Sequence, residues 1–389
     1  IIRDADDKLL EVPGIGLKLR DDIFDQWHQF YGRERLVTHL ASSGFTKTMI
    51  RRIMIQFDDN TLSKIEDNPY ELMRIPAVGF YRADYFAKLL GASDTNPTRI
   101  QEAIIYLLEE NGKGNTYLPK DTLFSEFSDR VKFTSIDVDK ETLYETALKS
   151  LSTVRRIIID KKGVHLTKFS MAETSIAKEL IERSLTTVDS YSSTLIRKYI
   201  KEWEIKEGFN LTRDQESAIV RTFLDNVTII TGAPGTGKTS TLAAILYVAK
   251  QDEFKLNVSL AAPTGRAAKR MQEATGVSAA TIHRLLGFGV DGGFSFKFNK
   301  DEKYPTDIFI VDEVSMIDVM LMNSLLRALK RSTKLILVGD KDQLQSVSAG
   351  NLLGDLISSG KVNTIELKTV FRQDSSAMLV RNARVINSG

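Results

Sequence analysis

Apolar positions change rhythm twice along the chain. Up to about Gly91 they recur at helical spacing, broken by short glycine turns. Val12-Pro13-Gly14-Ile15-Gly16-Leu17 precedes an amphipathic run from Lys18 to Phe30, Ser43-Gly44-Phe45-Thr46 opens a second helix, and Arg74-Ile75-Pro76-Ala77-Val78-Gly79-Phe80 precedes a run from Arg82 to Leu90. Turns of this kind between helices predict helix-hairpin-helix units, whose N-terminal N–H groups can hold a phosphate, although the same turns also serve as plain connectors. From about Asn96 to Thr174 three helical stretches, Ile100–Glu110, Lys120–Phe127 and Lys140–Thr153, lead to two short apolar strands around Asp160-Lys161-Lys162-Gly163, which predicts a winged-helix-like module. A helical connector follows, from Ala172 to Glu207. From Leu211 onward, apolar runs at Val227–Thr231, Asn257–Ala262, Asp307–Val311, Lys334–Val338 and Thr364–Leu367 alternate with helical stretches. That alternation predicts a parallel sheet covered on both faces, with its ligands at the carboxyl ends of the strands.

The pattern therefore predicts a multi-domain chain: a helix-hairpin-helix region over 1–95, a winged-helix-like module over 96–174, a helical connector over 175–210 and an α/β domain over 211–389. Within the last, Phe288 to Phe298 places alternating Phe residues beside Asp291-Gly292-Gly293, which predicts a β-hairpin insertion near 287–306.

Composition changes this picture little. The 389 residues are enough for two or three cores, and no window approaches eighteen consecutive apolar residues, so nothing predicts a membrane span. The absence of cysteine removes disulfides and thiolate metal sites and suits a reducing cytoplasm. With 53 basic and 51 acidic residues, bulk charge gives no case for a nucleic-acid partner. Local charge does better: residues 260–300 hold six basic side chains against two acidic ones. The chain lacks a Met at position 1 and stops just after a helical stretch, which reads as a fragment of a longer protein.

The chemistry concentrates after Leu211. Gly232-Ala233-Pro234-Gly235-Thr236-Gly237-Lys238-Thr239, followed by Ser240, matches the P-loop pattern between an apolar strand and a helix. Glycines let backbone N–H groups converge on phosphates, Lys238 offsets their charge, and the Thr239 hydroxyl is a ligand for Mg²⁺, so ATP with Mg²⁺ is the expected cofactor. Asp312 and Glu313 end the strand Ile308–Val311. There Asp312 would anchor the metal and Glu313 would polarise the attacking water. Gln343 offers an amide and Arg372 a guanidinium for γ-phosphate oxygens as charge develops, while Gln215, ahead of the first strand, suits the adenine edge.

Taken in order, Gln215, the P-loop, Ala262-Pro263-Thr264-Gly265-Arg266-Ala267-Ala268, Thr281-Ile282-His283, Asp312-Glu313-Val314-Ser315, Gly339-Asp340-Lys341-Asp342-Gln343 and Phe371-Arg372-Gln373 resemble the motifs of superfamily 1 helicases, and within them the RecD-like branch. Asn68-Pro69-Tyr70 and Val78-Gly79-Phe80 resemble the longer RecD-like helicases that work without RecB and RecC. The resemblance implies a RecA-like motor domain, ATP-driven translocation 5′ to 3′ on single-stranded DNA and unwinding of duplex-fork DNA. It places Pro263, Thr264, Arg266, Thr281 and His283 on the single-strand path and makes the hairpin insertion a pin that parts the duplex. It also implies a second RecA-like domain that this chain lacks, so the chain alone would turn over ATP slowly. Two other readings stay open: a nucleotide-switched DNA-binding or adaptor module without unwinding, and an RNA helicase.

Overall fold

The computed structural model describes residues 10, 12, 15–20, 36–56, 64–65, 67–110, 114–134, 137–186, 191–289 and 295–371. Arg372, the Asp291–Gly293 tip and most of the Lys18–Phe30 run lie outside the described residues. The chain divides into two compact units, residues 1–111 with 117–166, and residues 112–116 with 167–389.

The first unit begins with helices joined through glycine turns. Helix α1 (Lys47–Gln56) follows Gly44, whose φ of +77° is open to glycine at little cost. Asn68 caps a 3₁₀ turn (Pro69–Arg74) through the Tyr70 N–H, and Gly79 caps α2 (Phe80–Leu89). Then come α3 (Pro97–Glu110), β1 (Tyr117–Leu118), α4 (Lys120–Arg130), α5 (Lys140–Thr153), β2 (Ile157–Ile159) and β3 (Val164–Leu166). The strands form an antiparallel sheet in the order β1-β3-β2. Gly163 sits against β1 so closely that a Cβ there would lie 2.1 Å from the Leu118 carbonyl oxygen.

A buried polar network ties α2 to α3. Arg99, 1% exposed, donates from Nε and a terminal nitrogen to the two oxygens of Asp84 at 2.7 and 3.0 Å, and to the carbonyls of Asp94 and Lys132. The Tyr70 hydroxyl donates to the same carboxylate at 2.8 Å. Both charges are thus paired and hydrogen-bonded, as burial demands.

The second unit opens with α6 (Thr167–Leu185) and α7 (Ser193–Glu207), so helix begins at Thr167, well before the connector boundary at 175 expected from the pattern. Helix α8 (Arg213–Leu224) starts with a capping box between Thr212 and Gln215. The sheet follows: β4 (Val227–Gly232), α9 (Lys238–Ala249), β5 (Val258–Ala262), α10 (Gly265–Thr275), β6 (Ala279–Thr281), the short α11 (Ile282–Leu285), β7 (Ile308–Val311), a 3₁₀ turn (Val314–Met316), α12 (Val319–Ala328), β8 (Lys334–Gly339), α13 (Leu352–Ser359) and β9 (Asn363–Leu367). All neighbours pair in parallel, in the order β6-β5-β7-β8-β4-β9.

Strand side chains alternate between two cores. Ile230, Ile308, Ile310, Ile336 and Val338 enter one, with α7, α8, α9 and α10, while Ile229, Phe309, Val311, Leu335 and Leu337 enter the other, with α6 and α12. Burial on both faces explains why these strands read as continuous apolar runs. The five candidate strands are present, and β6 adds a sixth. Gly114, from the short segment grouped with this unit, accepts a hydrogen bond from the Gly350 N–H at 2.9 Å, and Thr116 donates to Glu173 at 2.7 Å.

In the 287–306 region the described residues show one antiparallel bridge, Phe288 with Phe296, and then turns. Phe296 and Phe298 pack on the core with Tyr304, while Phe288 is 43% exposed. Two of the three described Phe residues of the alternating pattern therefore pack on the core.

Candidate active site

The P-loop leaves β4 and enters α9 through two left-handed glycines, Gly235 (φ +85°) and Gly237 (φ +82°). Its cradle is closed to any larger residue. A Cβ on Gly232 would lie 2.6 Å from Thr236 Oγ1, and one on Gly237 would lie 2.2 Å from Gln215 Nε2. Thr236 is buried and donates to the Ala233 carbonyl at 2.8 Å, which fixes the turn. Lys238 Nζ donates to the carbonyls of Gly232 and Ala233 at 2.6 and 3.3 Å, so its charge rests on neutral acceptors inside the loop. Thr239 is exposed, and Ala233, Gly235 and Ser240 are half-buried around it, with Pro234 exposed. A phosphate chain offers the ammonium a stronger partner than two carbonyls, and the glycine cradle leaves it room.

Gln215 does something its position in the sequence did not reveal. It is 2% exposed, accepts from the Thr212 N–H at 2.9 Å, and donates from Nε2 to the carbonyls of Thr236 and Gly237 at 3.4 and 3.3 Å. Both ends of the amide are engaged, so in this structure it braces the P-loop and presents no free edge to a base.

Asp312 follows β7, two strands away from the P-loop strand β4. Its carboxylate accepts the Glu313 N–H at 2.9 Å. Burial pushes its pKa up to about 6, helped by the Glu313 charge and opposed by that N–H bond and by Lys238. An acid held in this state gains most from a nearby cation. Glu313 adopts φ +55° and ψ +42°, a left-handed conformation that costs a non-glycine residue about 1 kcal/mol, at the start of the 3₁₀ turn. The Ser315 hydroxyl beyond it is buried and has no hydrogen-bond partner in the structure.

Gln343 lies beyond β8 in an exposed turn, its N–H donating to the buried Asp340 carbonyl at 3.3 Å. The loop that carries it is anchored farther on, where the Val319 N–H donates to the Ala349 carbonyl at 3.1 Å. Gly350 (φ +113°) packs so tightly there that a Cβ would meet Val319 Cγ2 at 2.2 Å. The Gln343 loop is therefore fastened to the start of α12, just after the Asp312–Glu313 segment. After β9 the chain returns to the P-loop, where the Phe371 N–H donates to the Gly235 carbonyl at 3.0 Å.

The residues read as a strand path gather elsewhere on the same edge of the sheet. Thr264 follows β5 and Thr281 ends the neighbouring strand β6, and each caps the helix it precedes, accepting from Ala267 and Arg284 N–H groups at 3.2 Å. Pro263 is half-buried, while Arg266 and His283 are exposed. His283 lies 5.6 and 5.7 Å from the rings of Phe288 and Phe296. Carboxyl ends of one sheet thus carry a phosphate cradle at β4, acids at β7 and a row of hydroxyls, an arginine and aromatics at β5 and β6.

A family model described as the ATP-dependent RecD2 DNA helicase HHH domain matches residues 29–117, and one described as an AAA domain matches residues 215–349. The ATP-dependent RecD2 DNA helicase of Deinococcus radiodurans is 30% identical over 403 residues, covering 100% of this chain and 54% of that protein. The RecBCD enzyme subunit RecD of Mycolicibacterium smegmatis is 39% identical over 181 residues, covering 41% of this chain and 33% of that protein. The RecD subunit of Haemophilus influenzae is 36% identical over 203 residues, covering 46% of this chain and 31% of that protein. The chain spans about half the length of the first relative and about a third of the other two.

Proposed function

This chain is of the RecD-like type within superfamily 1, with an N-terminal helix-hairpin-helix region, and on that premise we propose that it carries the nucleotide-binding half of an ATP-driven motor that moves 5′ to 3′ along single-stranded DNA and opens duplex forks. The observation that carries the reading is the meeting of a loop with no room for a Cβ at Gly232 and Gly237, a lysine parked on carbonyls and a half-buried acid with its pKa raised to about 6, all at the carboxyl end of a parallel sheet.

ATP with Mg²⁺ would supply the scissile anhydride and its counter-charge, and the residues fit both. Lys238 would turn from the loop carbonyls to the β/γ-phosphates, the Thr239 hydroxyl and Asp312 would hold the metal, and the P-loop N–H groups from Gly232 to Ser240 would take the phosphate oxygens. Glu313 would take the proton of the attacking water. Gln343 and Arg372 would report the γ-phosphate, Gln343 through the loop fastened to α12. Gln215 would hold the cradle in shape from behind. Pro263, Thr264, Arg266, Thr281 and His283 would line the DNA strand, with hydroxyls and guanidinium on phosphates and His283 with Phe288 against bases. The helix–strand–helix–helix–strand–strand order from α3 to β3 supports a winged-helix-like module following the helix-hairpin-helix region over 1–95, although the expected span 96–174 runs past the first unit into α6 of the second.

Turnover of ATP by the full-length protein, measured with and without single-stranded DNA or RNA, tests the proposal. DNA stimulation that Glu313→Gln abolishes, together with nucleotide binding that Lys238→Ala abolishes, is the expected outcome. Nucleotide binding without any stimulated turnover favours the adaptor reading, and stimulation by RNA alone favours an RNA motor.

A further inference from the structure

The opposite end of the sheet carries a charged feature that the nucleotide site does not use. A cavity of about 390 Å³ opens where β7 and β8 begin, between α6, the end of α12 and the segment leading into β7; its charged lining is Glu179, Lys300, Lys303, Arg327 and Arg331.

Its acids are already spent. Arg183 is wholly buried and donates to the carbonyls of Lys330 and Thr333 at 2.7 and 2.6 Å and to Glu179 at 3.3 Å. Arg331 pairs with Glu182 and reaches the other oxygen of Glu179 at 3.6 Å. Two carboxylates thus serve two arginines. Lys303 is half-buried, and its ammonium donates to the Arg327 carbonyl at 2.6 Å, at the negative end of α12. Burial lowers its pKa, and Arg183 and Arg327 push the same way against Glu179 and Asp301. Lys300 and Arg327 are exposed and form no ion pair among the described residues. Asp301 acts on Lys303 from the same segment and its neighbour Glu302 pairs with Lys297 at 3.6 Å, which leaves Lys300 and Arg327 as exposed cations of the lining.

The wall that presents these cations is anchored. Phe298 packs edge-on against Tyr304 at 5.1 Å, and Tyr304 against Phe309 of β7 at 5.7 Å, so the segment between carries Lys300 and Lys303 on a fixed base beside the Phe288–Phe296 bridge. An open wall with separated cations suits a repeating anion better than a single small one, which needs donors closing from several sides.

We propose that this cavity grips the phosphodiester backbone of a nucleic-acid strand, with Lys300 and Arg327 as the contacting side chains and Lys303 setting the positive potential of the floor. The inference rests on the motor reading above and adds a second contact, at the far end of the sheet from the P-loop. Duplex and single strand present the same chemistry here, and the salt dependence of binding separates them. Each phosphate contact contributes about 0.9 to the slope of log K against log salt for duplex and about 0.7 for single strands.

The test is fluorescence anisotropy of the 389-residue chain with a labelled single strand and a labelled blunt duplex over a salt series. Lys300→Ala with Arg327→Ala should weaken at least one of the two by about three- to tenfold at low salt and flatten its slope by about 1.4 for single strand or about 1.8 for duplex, while Lys300→Arg with Arg327→Lys retains it. The substrate that loses affinity identifies the strand that lies there. Unchanged affinity and slope for both, with wild-type binding intact, overturns the site alone. A wild-type chain that binds neither overturns the site and the motor reading together.

Discussion

Two carboxylates, the buried Asp84 in the first unit and the half-buried Asp312 in the second, show how differently the same group can be used. Asp84 in α2 is 7% exposed and receives two nitrogens of Arg99, the Tyr70 hydroxyl and, at 3.6 Å, the ammonium of Lys88. Asp312 after β7 receives one backbone N–H, and burial pushes its pKa up to about 6. The first site spends every acceptor on the protein itself and fastens two helices. The second leaves most of its acceptor capacity unspent on the protein. A buried acid is therefore structural or functional according to whether the fold has already compensated it, a difference that side-chain burial alone does not reveal.

The comparison can be broken in steps of falling size. Arg99→Ala leaves Asp84 buried without its main partner and should cost about 3–5 kcal/mol in denaturant unfolding of the first unit. A loss below 1 kcal/mol would show that water already compensates Asp84. Asp312→Asn should act in the opposite direction. A carboxyl with a folded pKa near 6 and an unfolded value near 3.9 binds more protons when folded, so stability is full below about pH 4 and falls as pH rises to about 6. Above that, the asparagine variant should be more stable by about 2–3 kcal/mol while losing Mg²⁺-dependent nucleotide binding, and its unfolding midpoint should lose the pH 4–6 dependence. A wild-type midpoint flat across that window would remove the contrast between the two acids. The smallest effect belongs to the residue beside it: Glu313→Gly should relieve the left-handed backbone and raise stability by up to about 1 kcal/mol while abolishing turnover. Destabilisation by Glu313→Gly would mean that the side chain, not the backbone strain, governs this turn.

The sequence discloses these two sites unequally. The P-loop, the Asp312–Glu313 pair and five of the six strands of the large sheet were legible because a doubly covered strand is a continuous apolar run and the cradle requires glycine at fixed spacing. Strand β6 was not, since Ala279-Ala280-Thr281 has no apolar run and becomes a strand through its pairing with β5. The first strand of the small sheet, Tyr117–Leu118, is two residues long and equally silent. Gln215 was read for the adenine edge because its offset from the P-loop suits that role. Its engagement with the Thr236 and Gly237 carbonyls arises from packing across 21 and 22 residues, which no local pattern encodes. The Asp84–Arg99 pair and the left-handed Glu313 belong to the same class. Each depends on a neighbour that only the fold provides.

The short segment around Gly114 has a practical meaning for anyone dissecting the protein. Its carbonyl takes the Gly350 N–H, and Thr116 donates to the Glu173 carboxylate, so a fragment of the second unit cut to begin at Thr167 would discard two partners that hold its own loop and first helix. Supplying residues 112–116 as a separate peptide, or grafting them ahead of Thr167 by a linker, is the cut that respects how the chain is woven.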